Sequence, residues 1–499
     1  MLFVDNLNFP TSIAQAPDGT LFVAESGLPF DGAPAGGRVL RIHADGSRTE
    51  LLRDLRQPVN GLLWHDGGLI ISEGGHSGRI SRLDLASGQH TTLLDNLPGF
   101  GNYHTNMVAI GPDGKMYFGQ GAMTNSGIIG ADSDVLAWLR EVRHHPDIPG
   151  YDITLGSQSA TVQDEHGNAL TTGGFAAFGS HYPAGTQLAG QTPCTASVMR
   201  ANLDGSGLEL VAWGIRNAYG LLFLPDGRLL ATDQGTDVRG VRPVWNCPDF
   251  LYEIKAGAWY GWPDFFGGKP INQPPYTSPD GAAQPFLLQN HAALPAPQNP
   301  LLAFDVNACA CKMLRIPDHL PYGGDLLVAQ FGDERPMTGP PGPRVGRNLV
   351  RVDTHNWRVE ALPALPASVK LQRPLDLLIS HSGAFIYVVD FGEFEFTAQK
   401  TITARAGSGC IWKIPVDFME HNIMTTVSFA TDIAPMFAQF RDSMMWRFDL
   451  TRYADVKANY SAIQGAIGPN GFMPPPPYPP LNQAQADLFA AWVKQGFPE

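Results

Sequence analysis

Two stretches of this 499-residue chain hold residues whose types and spacing could do acid–base chemistry on a polar ligand. Arg216 and Asn217 stand directly before the hairpin GLLFLPDGRLLATDQG, and Asp233, Gln234 and Asp237 follow its second arm. His104, in GNYHTNM, holds the equivalent entry position one repeat earlier. A guanidinium, neutral amides, carboxylates and an imidazole around one pocket could stabilise an anionic oxygen and take a proton from a hydroxyl. Each residue also has a structural reading. Arg216 and Asn217 could tie strand ends together, His104 could be a hydrogen-bonded loop histidine, and Asp233 and Asp237 could cap turns.

The elements that must position these residues recur along the chain. A β-prone stretch, a turn of the Pro-Asp-Gly kind and a second β-prone stretch read as hairpins at SIAQAPDGTLFVAES, GLLWHDGGLIISEGG, MVAIGPDGKMYFGQG and GLLFLPDGRLLATDQG. Looser copies are MLRIPDHLPYGGDLLVAQFG and DLLISHSGAFIYVVDFG. Each ends on an acidic residue or Gln, usually followed by Gly. Partner strands lie between copies, among them RVLRIHADGSRTELL, RISRLDLASGQHTTLL and GCIWKIPV, with DFLYEIKAGAWYGWP expected to complete the fourth unit. An isolated hairpin is marginal in water, so six such units must bury their faces on one another. The expected fold is an all-β, six-bladed β-propeller over residues 1–418, with its site at the mouth of the central channel. Two insertions interrupt it. One spans about 131–193 and opens helically at DSDVLAWLREVRHH; the other spans about 269–300. Residues 424–499 read as a small all-α domain of three helices, the last N-capped by Asn482 with Gln485 as its capping-box partner.

Composition narrows the function classes. Lys plus Arg total 34 against 47 Asp plus Glu, a net charge of −13, which argues against a phosphate-backbone partner such as nucleic acid. No apolar run is long enough to span a membrane. The segment MLFVDNLNFP lacks the basic and apolar regions of a signal peptide, which fits a cytosolic protein or the mature form of an exported one. The five cysteines read as small buried hydrophobes or, more sharply, as one Cys194–Cys247 disulfide. Cys309-Ala-Cys311 lacks a further Cys or His at metal-ligand spacing, so a metal site is not expected there.

The pattern G-x-R-N-x-x-G-L-x-F-x-P-x-G-x-L-L-x-x-[DE]-Q-G, followed by Tyr260-Gly-Trp-Pro, resembles the glucose/sorbosone dehydrogenase family, which includes the soluble pyrroloquinoline-quinone (PQQ) glucose dehydrogenases. The resemblance covers roughly residues 8–415. It implies a carbohydrate oxidoreductase with PQQ and calcium at the top face, in a periplasmic or secreted setting, with an electron-acceptor protein among its partners. By that resemblance His104 is the base for the sugar hydroxyl, and Arg216 and Asn217 face the cofactor. Gln234 lies at the cofactor's edge, Gly235, Thr236 and Asp237 lie in the calcium-holding segment, and Arg373 is one of the cofactor-binding arginines. Three positions depart from the pattern: Tyr103 replaces the acid beside the base, Leu375 replaces the second arginine of an R-x-R pair, and Gly332 stands where a Lys is usual, with Arg335 three residues on. Tyr260 and Trp262 read as wedges between blades.

The tail motifs D-I-x-P-x-F, G-x-M-P-P-P and W-V-K-x-G resemble small c-type cytochrome domains. The stretch QFRDSMMWRFDL, where a Cys-x-x-Cys-His segment would attach haem, has neither Cys nor His. Covalent haem is therefore not expected, Met473 is expected to pack rather than ligate, and the domain reads as a haem-free docking or capping piece. Three functions stay open: a PQQ- and calcium-dependent sugar dehydrogenase, a non-catalytic binding or assembly module, and a calcium-dependent hydrolase of the lactonase type. A small polar substrate, sugar-like, is the expected partner.

Overall fold

The computed structural model describes residues 1–279, 281, 283–360, 362–422, 427–467, 478, 481 and 483–499. They form two compact units, Met1–Phe418 and Met419–Glu499.

The first unit is a six-bladed β-propeller with one antiparallel sheet per blade. From the channel outward, blade one is Pro10–Gln15, Leu21–Glu25, Gly37–Ile42 and Arg48–Leu55, and blade two is Val59–His65, Gly68–Glu73, Gly78–Asp84 and His90–Leu97. Blade three is Thr105–Ile110, Met116–Gln120, Ser197–Ala201 and Glu209–Trp213, and blade four is Ala218–Phe223, Leu229–Asp233, Pro248–Ile254 and Leu302–Val306. Blade five is Ala310–Arg315, Leu326–Gln330, Asn348–Asp353 and Arg358–Glu360. Blade six is Pro374–Ile379, Phe385–Asp390 and Gly409–Pro415, completed by the N-terminal strand Leu2–Leu7.

Burial explains the strand signals. Second strands such as LFVAE and LLVAQ are buried along their whole length, because each is covered on both faces by neighbouring blades. Outer strands such as Arg48–Leu55 are mostly exposed. Apolar clusters fill the spaces between successive blades, as where Phe22, Val39 and Leu55 of blade one meet Val59, Leu69 and Ile71 of blade two. Truncating one such side chain, Phe22→Ala for instance, should cost about 3–5 kcal/mol.

The inner strand of each blade packs on that of the next, and blade six packs on blade one, so the ring is closed. All six inner strands slip register against their neighbours near their first residues, at Pro10/Ser12, Val59/Gly61, Thr105/Val108, Ala218/Leu221, Ala310/Met313 and Pro374/Asp376. A bulge at that point re-aims side chains where the strands enter the channel, and it recurs in every blade.

Several expectations change. The fourth strand of blade four is Leu302–Val306, while Ala258–Trp259 of AGAWYGWP pairs in parallel with Glu209–Trp213 of blade three. The helical opening of the first insertion is reduced to two single turns, Asp132–Val135 and Leu139–Val142, separated at Ala137 by a left-handed φ of 64°. The rest of that insertion makes a hairpin, Ser159–Gln163 with Ala169–Gly173, and a short antiparallel pair that flanks it in sequence, Ile153–Thr154 with Gln187–Leu188. All five cysteines are free thiols, so the Cys194–Cys247 bridge does not form, and both residues are simply buried.

The second unit has its own core of Phe429, Ile433, Phe437, Phe440, Val456, Ile463, Phe489 and Trp492. Its first helical segment runs from Phe429 to Ala438, N-capped by Ser428, whose Oγ accepts from the amides of Ala430 and Thr431. The middle helix expected over 444–467 is broken: Met444 ends the single turn Arg441–Met444, and Tyr453–Ala458 and Tyr460–Ile467 follow after a gap. Asp449 explains the break: it accepts from the amide and hydroxyl of Thr451 and pairs with Arg441, which fixes a turn in place of a helix. The last helix is Gln483–Lys494. Met473 and Asn482 lie outside the described residues.

Candidate functional site at the channel mouth

The entry ends of the inner strands and the exit ends of the second strands gather at one mouth. In five blades the acidic or Gln residue that ends the second strand receives a hydrogen bond from the start of the inner strand. Glu25 Oε1 accepts the Asn8 amide, Glu73 Oε2 the Arg56 amide, Gln120 Oε1 the Thr105 hydroxyl, Asp233 Oδ1 the Asn217 amide and Asp390 Oδ1 the Arg373 amide. The recurrent acidic residue of the repeat is therefore a strand-end clamp, and Asp233 belongs to this set. Burial pushes Asp233 up to about 7, against the Asn217 amide and the Arg216 charge, which pull the other way.

Arg216 is buried and saturated. Nε donates to the Asn125 carbonyl at 3.2 Å, Nη1 to the carbonyls of Gln234 and Gly235 at 3.1 and 2.5 Å, and Nη2 to Asn125 Oδ1 and Asp237 Oδ2 at 2.8 and 2.7 Å. Those contacts use all five N–H donors of a guanidinium. The Tyr103 ring covers its face at 4.4 Å. Asp237 also accepts from Arg239 Nε at 2.9 Å, and Arg239 reaches Asp132 at 2.7 Å and the Tyr103 hydroxyl at 3.1 Å. Two arginines and two aspartates thus balance in one buried network, with Tyr103 and Asn125 completing it.

His104 differs. Its Nδ1 lies 3.1 Å from the Gly99 carbonyl, and a carbonyl can only accept, so Nδ1 carries the proton and Nε2 the lone pair. Nε2 has no partner among the described residues and is not sealed from solvent. Burial pushes the imidazole down to about 4, outweighing the Gly99 contact, so it is neutral at physiological pH. A line of neutral groups runs on from blade three. Asn106 donates to Asn217 Oδ1 at 2.8 Å, Asn217 Nδ2 donates to Gln234 Oε1 at 2.7 Å, and Gln234 Nε2 donates to Cys309 and Cys311 at 3.1 and 3.5 Å.

The side of the mouth made by blades five, six and one is apolar. Phe9, Phe331, Leu375, Phe391, Phe394 and Phe396 form one cluster there. Arg373 lies beneath it, fully buried, with its nitrogens on the carbonyls of Phe394, Phe331, Gly332 and Asp333 and on Glu395. Deeper in the channel, Lys312 Nζ donates to the Thr11 carbonyl at 2.9 Å and Asp376 at 3.0 Å, and Ser12 donates to the same Asp376 oxygen at 2.8 Å. This Lys–Asp–Ser bridge across blades five, six and one was not legible from spacing; the one signal for it was a lysine between apolar neighbours in the inner strand of blade five.

The structure therefore brings Arg216, Asn217, Gln234, Gly235 and Asp237 together, while Arg373 binds elsewhere on the ring. The residues present do not fit PQQ with calcium. PQQ carries three carboxylates, yet Arg216 has no free donor, Arg373 directs its nitrogens at backbone carbonyls and Glu395, and Leu375 adds no charge. The Gly235 carbonyl already receives a guanidinium, which would repel a calcium ion placed on the same oxygen. Thr236 Oγ1 is buried without a hydrogen-bond partner among the described residues, as are Thr338 Oγ1 and, among the cations, Arg335 Nε, and one such oxygen in the expected calcium segment does not make a calcium site. Tyr260 and Trp262 are buried in the core between blades three and four.

The class of protein defined by these sheets is the six-bladed propeller. No family profile matches the sequence, and no curated protein matches it. Among solved structures, the PQQ-bound aldose sugar dehydrogenase of Streptomyces coelicolor aligns at 16% identity over 83% of this chain and 96% of that one, with a TM-score of 0.49. The PQQ domain of the Coprinopsis cinerea pyranose dehydrogenase, in its holo form, aligns at 14% identity over 82% and 94%, also with a TM-score of 0.49. At these scores the likeness says nothing of this chain's chemistry, which rests on its own residues. No helix among the described residues is long and apolar enough to cross a membrane.

Proposed function

We propose that the mouth binds a small, uncharged, polyhydroxylated ligand of the sugar class, with His104 Nε2 accepting a hydrogen bond from a ligand hydroxyl. The observation that carries this reading is the contrast between His104, with an open acceptor, and Arg216, with no open donor. A neutral ligand needs hydrogen-bond acceptors and amides rather than free cations, and Asn217 and Gln234 stand beside the same entry.

The second reading is the sugar dehydrogenase, and His104 is what favours it. A neutral imidazole oriented through Nδ1 is the arrangement of a general base. Arg216 and Arg373 speak against that reading as they stand, and so does the low basicity of an imidazole pushed down to about 4. An acceptor protein and an exported location belong to this reading alone.

Isothermal titration separates the two. Aldose binding that is weakened at least tenfold in His104→Gln, with no heat from PQQ in the presence of calcium, supports the binding reading. Micromolar PQQ binding lost in Arg216→Ala would overturn it in favour of the dehydrogenase. Silence from both ligands would remove the mouth as a small-molecule site.

A further inference from the structure

Cys309 and Cys311 open the inner strand of blade five with their Sγ atoms 4.0 Å apart. The same amide nitrogen, Gln234 Nε2 of blade four, donates to both sulfurs. Cys311 Sγ in turn donates to the Cys309 carbonyl at 3.2 Å. Cys309 is partly exposed, whereas the other four cysteines are buried. It occupies the place that Phe9 holds in blade one, just before the inner strand, and both residues have φ of 52°. The fold thus supplies the bend and the sequence puts a thiol at it. A disulfide bond of about 2.05 Å would require the two sulfurs to close from 4.0 Å.

A soft metal ion is the competing occupant, and the surroundings disfavour it. Among the described residues no His or carboxylate joins the two sulfurs within ligand reach. The Cys309 thiol is held well above its ordinary pKa by its bond with Cys311, by burial and by the negative Glu334, so a charged dithiolate is costly there. A disulfide carries no charge and escapes that cost.

We propose that Cys309 and Cys311 are a redox-active dithiol at the channel mouth, oxidised to an intrachain disulfide by a small-molecule disulfide of the glutathione class. Cys309, the more exposed thiol, attacks one sulfur of the oxidant through its minor thiolate form, and the departing glutathione takes up the proton that Cys309 gives up. Cys311 then attacks the mixed disulfide at Cys309, expels the second glutathione and passes its proton to it. Two protein thiols become one disulfide, and one glutathione disulfide becomes two thiols. Oxidation removes the thiol acceptors of Gln234 Nε2, and Gln234 Oε1 is the acceptor of Asn217. The redox state of blade five therefore resets the polar line across the mouth.

The test uses the full chain equilibrated in graded glutathione buffers, quenched with acid, unfolded and alkylated with N-ethylmaleimide. Intact mass should show two fewer adducts at oxidising ratios, and the peptide carrying both Cys309 and Cys311 should be unalkylated and about 2 Da lighter than its free dithiol form. Cys309→Ser and Cys311→Ser should each abolish the change, and Cys410→Ser should not. Gln234→Ala should move the midpoint ratio about fivefold toward the disulfide, because the amide stabilises the reduced sulfurs. Five adducts at every ratio, a stable glutathione adduct on Cys309 that never resolves, or a bridge mapped to Cys194–Cys247 would each overturn the proposal. The wild-type map decides these outcomes even if a serine variant fails to fold.

Discussion

Asp233 and His104 titrate in opposite directions at one mouth. Asp233, pushed up to about 7, keeps a proton in the folded protein that the unfolded chain releases near 3.8. Its contribution to stability is therefore complete below about pH 4 and is lost as pH rises through 7. His104, pushed down to about 4 from 6.5, refuses a proton that the unfolded chain takes, so its contribution is present above 6.5 and is lost as pH falls toward 4. Asp233→Asn keeps the Oδ1 acceptor for the Asn217 amide and cannot ionise. Urea unfolding should show the variant gaining on the wild type between pH 4 and 7 and staying ahead above it. An unchanged pH profile would mean that Asp233 is ionised in the fold. The sequence located these residues, since hairpin spacing alone sets strand ends. It did not reveal which way the donors point. Asn125, Tyr103 and Arg239, which turn Arg216 inward, come from other segments and carry no local signal of the partnership.

Elements were legible where their signals are local and opaque where their partners are distant. Every hairpin copy became the inner and second strands of a blade, because the turn and the two β-prone arms lie within a few residues of one another. The outer strand of blade four lay past a long insertion, and the outer strand of blade six came from the far end of the propeller. The helical periodicity of DSDVLAWLREVRHH failed for another reason, since Leu139 and Val142 turn into a small cluster with Met123, Ile129 and Trp138 that outweighs continuation of the helix. Removing residues 2–7 would bare the edge of Gly409–Pro415. The truncated protein should unfold at lower urea and associate in a concentration-dependent way by light scattering, because an open edge invites pairing between copies. A monomer of unchanged midpoint would show that the closing strand is dispensable.

At the scale of the whole molecule the two units have separate cores, one distributed between blades and one centred on Phe489 and Trp492. Differential scanning calorimetry should accordingly give a van't Hoff enthalpy below the calorimetric enthalpy, the sign of more than one cooperative unit. Agreement of the two enthalpies would mean that the units melt together. The propeller was readable from its repeats, and so was a small helical region after it. The aromatic filling of one side of the mouth was not readable, because Phe9, Phe331 and Phe394 are brought together only by ring closure.

Ring closure also imposes an order in time. The Met1 amino group meets the Lys413 carbonyl across a separation of 412 residues, and Leu2 pairs with Trp412. On the ribosome the first strand made must wait for the last strand of the ring, and until then the growing arc exposes a raw flank at each end. Blades one to five can each pair their own four strands as they emerge, but blade six cannot be completed without Leu2–Leu7, and the circle locks in one late event. Such a chain depends on its emerging flanks being shielded for most of its synthesis, and a stall shortly before residue 409 would release an almost complete ring with no latch.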